Sequence, residues 1–191
     1  MASESEFLIT TQRLSIRMAL IEDAELFFRL WTDPKVMKNV GFPEGLYISP
    51  DEIRSRIAQS SPTEFDRLLV VGLKETGEGI GECQLHRPNA DGIASTDIKL
   101  LPEYWGHRFG VEIKRALLDY LFTHTDCQAV EATPNVENMA SIRMQEAVGG
   151  MRVGEQIYTF PAAMQSYTVP VHHYIYRVSR SDWSKKHEQH L

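Results

Sequence analysis

The 191-residue chain predicts a single domain of mixed α/β class, an α+β fold whose central sheet is mostly antiparallel and flanked by helices. Three observations lead there. A chain of this length with 42% hydrophobic residues closes one generous core. Three short apolar or alternating runs between residues 68 and 101, parted by turn residues, describe an antiparallel meander. After it, helical stripes and short strands alternate to about residue 178. The domain is expected over 1–183, with the polar segment 184–191 fraying as a tail.

Each element has its own warrant. Residues 7–9 (Phe-Leu-Ile) and 14–18 (Leu-Ser-Ile-Arg-Met) read as a first strand around a polar turn. Glu22, Asp23 and Glu25 load the start of a helix with the apolar face Leu26, Phe27, Leu30 and Trp31, since acids favour the positive end of the helix dipole. Ser49-Pro50-Asp51-Glu52 has capping-box spacing, so a second helix is expected over about 50–59. The meander strands are Leu68–Leu73, Ile80–Leu85 and Ile93–Leu101. Ile113, Ala116, Leu117, Tyr120 and Leu121 then trace one helical stripe. A strand over Ala129–Thr133 and a helix over 138–148 follow, the helix stopped by Gly149-Gly150. Two last strands, near 151–158 and 171–178, flank the long interval Thr159–Pro170, a candidate specificity loop or a plain surface loop.

Composition narrows the partners. Twenty basic against 26 acidic side chains give a net charge of -6, which argues against a general nucleic-acid binder and leaves amine substrates open. The N-terminal MASESEF has neither the basic nor the apolar region of a secretory signal. Cys83 and Cys127 therefore read as buried thiols of a reducing cytoplasmic protein rather than a disulfide. No apolar run approaches the ~20 residues that span a bilayer, so no membrane partner is expected.

Chemistry concentrates in residues 100–113, Leu-Leu-Pro-Glu-Tyr-Trp-Gly-His-Arg-Phe-Gly-Val-Glu-Ile. A strand runs into a basic, glycine-bearing turn and directly into an amphipathic helix. Unpaired amides at such a helix start favour an anion, with His107 and Arg108 beside it and Gly106 and Gly110 allowing close backbone approach. Neither a P-loop nor a G-x-G-x-x-G fingerprint is present. By itself the segment is equally an ordinary strand-to-helix loop.

Four further pieces add to it: Thr11-Gln12-Arg13-Leu14, Leu30-Trp31-Thr32-Asp33-Pro34-Lys35-Val36-Met37, Pro102-Glu103-Tyr104-Trp105-Gly106, and Asn-Val-Glu-Asn-Met-Ala-Ser-Ile-Arg-Met over 135–144. Together they resemble the GNAT superfamily of acyl-CoA-dependent N-acyltransferases, in the subgroup of ribosomal-protein N-terminal acetyltransferases, over roughly residues 10–178. The resemblance implies that Gly106, His107, Arg108, Phe109, Gly110 and Val111 bind the CoA pyrophosphate. It implies that the strand at Ile98, Lys99 and Leu100 splays from its neighbour and holds pantetheine. Asn138 would hold pantetheine as well, with Ser141 near the departing sulfur. Two positions depart from the family pattern. Arg108 replaces the first glycine of the turn and takes positive φ only at a cost. Ser95 stands where many relatives carry a glutamate, and Asp97, on the same strand face, is placed to take over its work.

The implied function is acetyl transfer from acetyl-CoA to a primary amine, on a small molecule or a peptide N-terminus, directly in a ternary complex. The alternative is a CoA-binding sensor or interaction protein of the same fold with weak catalysis. Asp97 and Glu82 are the base candidates, against the reading of surface carboxylates. Ser141 is the acid candidate, against a helix-capping role. An α-amine of pKa about 7.8 is about a third neutral at pH ~7.5, while a lysine at about 10.4 is only about 0.1% neutral, so a weak base suits an α-amine. Tyr104 and Trp105 are expected to pack under the turn, and Tyr158, Tyr167 and Tyr174 to line the acceptor cleft or donate a proton, against core or rim packing. Lys114, Arg115 and Arg143 read as solvated helix charges, with a CoA phosphate as the alternative partner of Arg143. His172-His173 and His187/His190 lack ligand-spaced partners, so no metal is expected. Monomer and homodimer are both compatible.

Overall fold

The computed structural model describes residues 7–188, beginning with a hairpin in which β1 (Ile9–Thr10) pairs antiparallel with β2 (Leu14–Met18). The expected first strand is thus two strands. Thr11 folds the turn between them, its amide donating to the Leu14 carbonyl at 2.9 Å and its hydroxyl accepting the Leu14 N–H at 2.9 Å. After a short 3₁₀ turn come α1 (Ala24–Thr32), α2 (Pro34–Met37) and α3 (Pro50–Ala58). Asp23 takes the Leu20 N–H and both guanidinium nitrogens of Arg17, which fixes the entry to α1. The capping box forms as expected, Ser49 and Glu52 bonding reciprocally.

The meander follows as β3 (Leu69–Leu73), β4 (Gly79–His86) and β5 (Ile93–Leu100). Then come α4 (Phe109–His124), β6 (Ala129–Ala132), α5 (Met139–Ala147), β7 (Met151–Tyr158), β8 (Val171–Ser179) and α6 (Arg180–Glu188). Gly149 ends α5 at φ +88°. The start of the expected frayed tail is helical. Arg180 binds the Phe122, Thr125 and Cys127 carbonyls left open at the end of α4, and buried Trp183 packs on Phe122. Residues 189–191 lie outside the described residues.

Among the described residues, eight strands form one sheet in the order β1-β2-β3-β4-β5-β6-β8-β7. Only β5 and β6 pair in parallel there. Helices cover both faces. One core joins Leu69, Val71, Leu85 and Val130 to the α4 residues Ile113, Leu117 and Leu121. The other joins Val70 and Leu101 to Phe27, Leu30, Ile53 and Ile57 of α1 and α3. The unbroken apolar run of β3 follows from this, since both of its faces are buried.

One feature of the sheet positions the site. β5 bonds β6 only over Ile93–Ser95, opposite Ala129–Glu131. Beyond Ser95 the two strands part, while β5 stays paired with β4 as far as Leu100. Thr96–Leu100 therefore presents an open backbone edge inside the sheet.

Candidate active site

Because β5 and β6 run in parallel, the helices that follow them begin at the same end of the sheet. The N-termini of α4 and α5 therefore flank the gap where the strands part, an arrangement that gathers unpaired amides and positive dipole ends at one place. Gly110 on α4 packs against Met144 of α5, whose Sδ lies 3.0 Å from where a Cβ on Gly110 would stand. That glycine thus makes room for a helix, rather than for an anion as its place in the turn suggested.

The turn ahead of α4 bends through two left-handed residues, Gly106 at φ +82° and Arg108 at φ +63°. The arginine adopts the conformation that the replaced glycine would take freely, at about 1–2 kcal/mol. A side chain on Gly106 would meet nothing within 4 Å, so the turn faces open space. His107 and Arg108 are exposed, while Phe109 is buried beneath them with His107 stacked on it at 5.5 Å.

A clamp that sequence reasoning missed holds this turn from below. Glu112, in the first turn of α4, accepts from the Thr11 hydroxyl at 2.6 Å, the Arg13 amide at 3.0 Å and the Arg13 Nε at 2.7 Å. Arg13 also donates to the His107 carbonyl at 3.2 Å and lies 4.4 Å from the Phe109 ring centre. Burial pushes the Glu112 carboxyl up, but the bonds from Thr11 and Arg13 outweigh it and hold it below the usual range. The signal was the Thr-x-Arg-Leu spacing, whose partner a hundred residues on cannot be read from sequence.

Along the open edge, Ile98 N–H donates to Asp97 Oδ1 at 3.0 Å, and the Leu100 carbonyl accepts the Trp105 indole N–H at 2.8 Å. Trp105 thus lies half-exposed against the strand edge rather than under the turn, and Tyr104 is part-buried between the two cores. Asn138 caps α5, accepting the Ser141 amide at 3.1 Å. The capping role belongs to Asn138. The Ser141 hydroxyl makes no hydrogen bond to protein among the described residues.

Lys114 corrects the reading of a solvated charge. It is 1% exposed and donates from Nζ to Thr96 Oγ1 at 2.6 Å. Its place in the helix explains this, since it lies four residues past Gly110 and three before Leu117, within the face turned to β5. Burial lowers its pKa to about 7, against a smaller opposing pull from Asp97. Arg115 and Arg143 are exposed as expected.

On the other face of the sheet, Glu82, Gln84, Asp97 and Lys99 project together into a cleft of about 230 Å³. Trp31, Met37, Val40, Phe42 and Leu46 form its apolar wall, with Arg56 at the side. Glu82 is 1% exposed, and its Oε2 accepts the Trp31 indole N–H at 3.1 Å. Lys99, expected only as backbone, puts Nζ 2.9 Å from Glu82 Oε1 and pairs with Asp97 as well. The structure therefore joins both base candidates through one ammonium. Burial pushes Asp97 up, yet the Lys99 charge and hydrogen bonds from Lys99 and Ile98 hold it below the carboxylate range. Lys99 is raised in turn, its own burial outweighed by the two acids.

The interval Thr159–Pro170 reaches this cleft through Phe42. Phe160 and Tyr167 lie 5.3 and 6.4 Å from that ring, and Val169 N–H donates to the Gly41 carbonyl. Tyr158 packs on Phe160, whereas Tyr174 lies under Arg152 on the β7–β8 hairpin. A larger groove of about 780 Å³ shares His107 and Arg108 with the turn, but holds neither the open strand edge nor the acid cluster.

Among the described residues, no three His, Cys, Asp or Glu side chains gather to hold a metal, and no helix is long and apolar enough to cross a membrane. His172 faces Glu155 at 3.6 Å, His173 is buried, and His190 lies outside the described residues.

Comparisons with known proteins agree with this geometry. The family model of the acetyltransferase (GNAT) domain matches residues 13–151. The Bacillus licheniformis protein described as uncharacterized N-acetyltransferase p20 is 29% identical over 147 residues, covering 75% of this chain and 82% of its own. A GNAT-family acetyltransferase from Bacillus anthracis superposes with a TM-score of 0.76 at 22% identity, over 92% of this chain and 99% of the other. Spermidine N-acetyltransferase from Vibrio cholerae, solved with CoA and spermine, gives a TM-score of 0.73 at 21% identity, over 91% and 99%.

Proposed function

Since the chain belongs to the GNAT family of acetyl-CoA-dependent acetyltransferases, we propose that its acceptor is a primary amine, on a small molecule or a peptide N-terminus, acetylated by direct transfer in a ternary complex. One observation carries this. The open edge of β5 and the left-handed turn meet at the start of α4, while an acid-bearing cleft opens across the same strand.

The residues present fit the donor. The turn amides at Gly106–Val111 and the side chains of His107 and Arg108 suit a pyrophosphate, and the Thr96–Leu100 edge offers backbone partners to an amide-bearing arm. When bound, acetyl-CoA supplies a thioester whose carbonyl carbon takes the acceptor lone pair, C–N forming as C–S breaks and the amine proton ending, net, on the thiol. Glu82 and Asp97 face the acceptor amine and draw it in. Asp97, held low by Lys99, is a weak base, which suits an amine already partly neutral. The Ser141 hydroxyl, with its proton uncommitted, is assigned the transfer to the departing sulfur. Buried free thiols at Cys83 and Cys127 accord with a reducing cytoplasm.

An amine panel with free-thiol detection tests the reading. Thiol release with at least one primary amine is expected, and Ser141→Ala lowers kcat while leaving CoA affinity intact. Tight CoA binding with no thiol released for any amine overturns it in favour of a sensor.

A further inference from the structure

The acceptor cleft contains a charge that acetyl transfer to a simple amine does not use. Arg56 lines it, with its guanidinium carbon 5.8 Å from the Trp31 ring centre. No carboxylate among the described residues forms a salt bridge with it, although Glu52 on the same helix lies within electrostatic reach. Glu52, one turn earlier on α3, is committed to Ser49, accepting both its amide and its hydroxyl at 2.8 Å. Trp31 in turn binds Glu82 through its indole N–H. An anion, Glu82, and a cation without a salt bridge, Arg56, therefore both contact one indole in the same cavity.

Counting charge decides what fits between them. Glu82, Asp97 and Lys99 form a tied cluster of net charge minus one, and Arg56 restores the cleft to neutrality. A polyamine gains nothing from a neutral cleft and is repelled at Arg56. A zwitterion is matched at both ends. The cleft of about 230 Å³ is smaller than the roughly 300–1,000 Å³ usual for drug-sized ligands and suits a small acceptor. A carboxylate held low by Lys99, as Asp97 is, favours an amine with a large neutral fraction at neutral pH, as α-amines have.

We propose that the acceptor is a small α-amino acid, its carboxylate held by Arg56 over the Trp31 indole and its amine facing the Glu82–Lys99–Asp97 cluster. This rests on the reading of the cleft as the acceptor site. Arg56 is a binding residue here: it touches the substrate away from the reacting nitrogen. The apolar wall of Met37, Val40, Phe42 and Leu46 selects an aliphatic or aromatic side chain over a charged one.

The test compares matched acceptors in the full-length enzyme: apolar α-amino acids, their carboxamides, the parent amines without the carboxylate, and spermidine. Wild type is expected to acetylate the amino acid with a kcat/KM about tenfold or more above that of the carboxamide, mostly through KM. Arg56→Gln brings the amino-acid kcat/KM down towards that of the carboxamide, removing that preference, and Arg56→Lys keeps part of it. Calorimetric titration of the amino acid into each variant reads the same loss as binding. Equal turnover of amino acid and carboxamide, or an equal loss for both in Arg56→Gln, overturns the proposal while leaving amine acetylation standing. No thiol release with any of these acceptors or any other primary amine overturns both readings.

Discussion

Arg108 holds φ +63° on a side chain that leaves this region uncrowded only with difficulty. The clamp of Thr11, Arg13 and Glu112 beneath the turn offsets that strain, and the arginine gains a guanidinium at the place where a pyrophosphate is expected. Two effects are separable. Arg108→Gly is expected to stabilise the folded chain by about 1 kcal/mol, read as a raised urea midpoint. The same change weakens CoA binding, since a charged hydrogen bond contributes about 1.5–3 kcal/mol. A variant with unchanged CoA affinity would remove the guanidinium from the site. Lys99 shows the same economy at a neighbouring position. A residue foreseen only for its backbone carries the ammonium that bridges both acids.

At the scale of elements, a loop from the far end of the chain backs one wall of the cleft that holds Glu82 and Asp97. Thr159–Pro170 docks on Phe42 through Phe160 and Tyr167, and Val169 bonds the Gly41 carbonyl. Gly41 permits this twice over. Its φ is +96°, and a Cβ there would stand 2.4 Å from the Phe160 ring. Gly41→Ala is therefore expected to lift the loop, raising acceptor KM several-fold while the KM for acetyl-CoA stays near wild type. Equal changes in both would place the defect in folding instead. The length of this interval marked it in the sequence as more than a hairpin turn. Which wall it touches depended on Phe42, more than a hundred residues earlier, and no local pattern links the two. The elements themselves were largely legible, because capping boxes, glycine stops and apolar periods act within a few residues. The α6 helix was not. Its sequence is polar, and it is held by Trp183 and by Arg180 binding carbonyls at the end of α4.

For the molecule as a whole, Lys114 couples stability to pH. Its pKa falls from an ordinary 10.5 to about 7 on folding, so between those values the unfolded chain binds the extra proton. Stability on this account rises as pH climbs from about 7 towards 10.5, and the full burden of the buried ammonium is felt below 7. Lys114→Met is therefore expected to be more stable than wild type near pH 6, with the gap in urea midpoints closing towards pH 10. A gap independent of pH would show that the residue does not change its protonation on folding. The sequence by itself determined the strands and most helices, the glycine-bearing turn, the family resemblance and the two acids on central strands. Those features rest on short-range sterics, periodicity and capping. Tertiary structure alone decided that Lys99 joins the two acids, that Glu112 is clamped by Thr11 and Arg13, that Lys114 is buried, and that Arg56 lines the same cleft as Glu82 and Asp97. Each depends on which strand registers and helix faces meet across the sheet, and that is settled only when the separate cores close together.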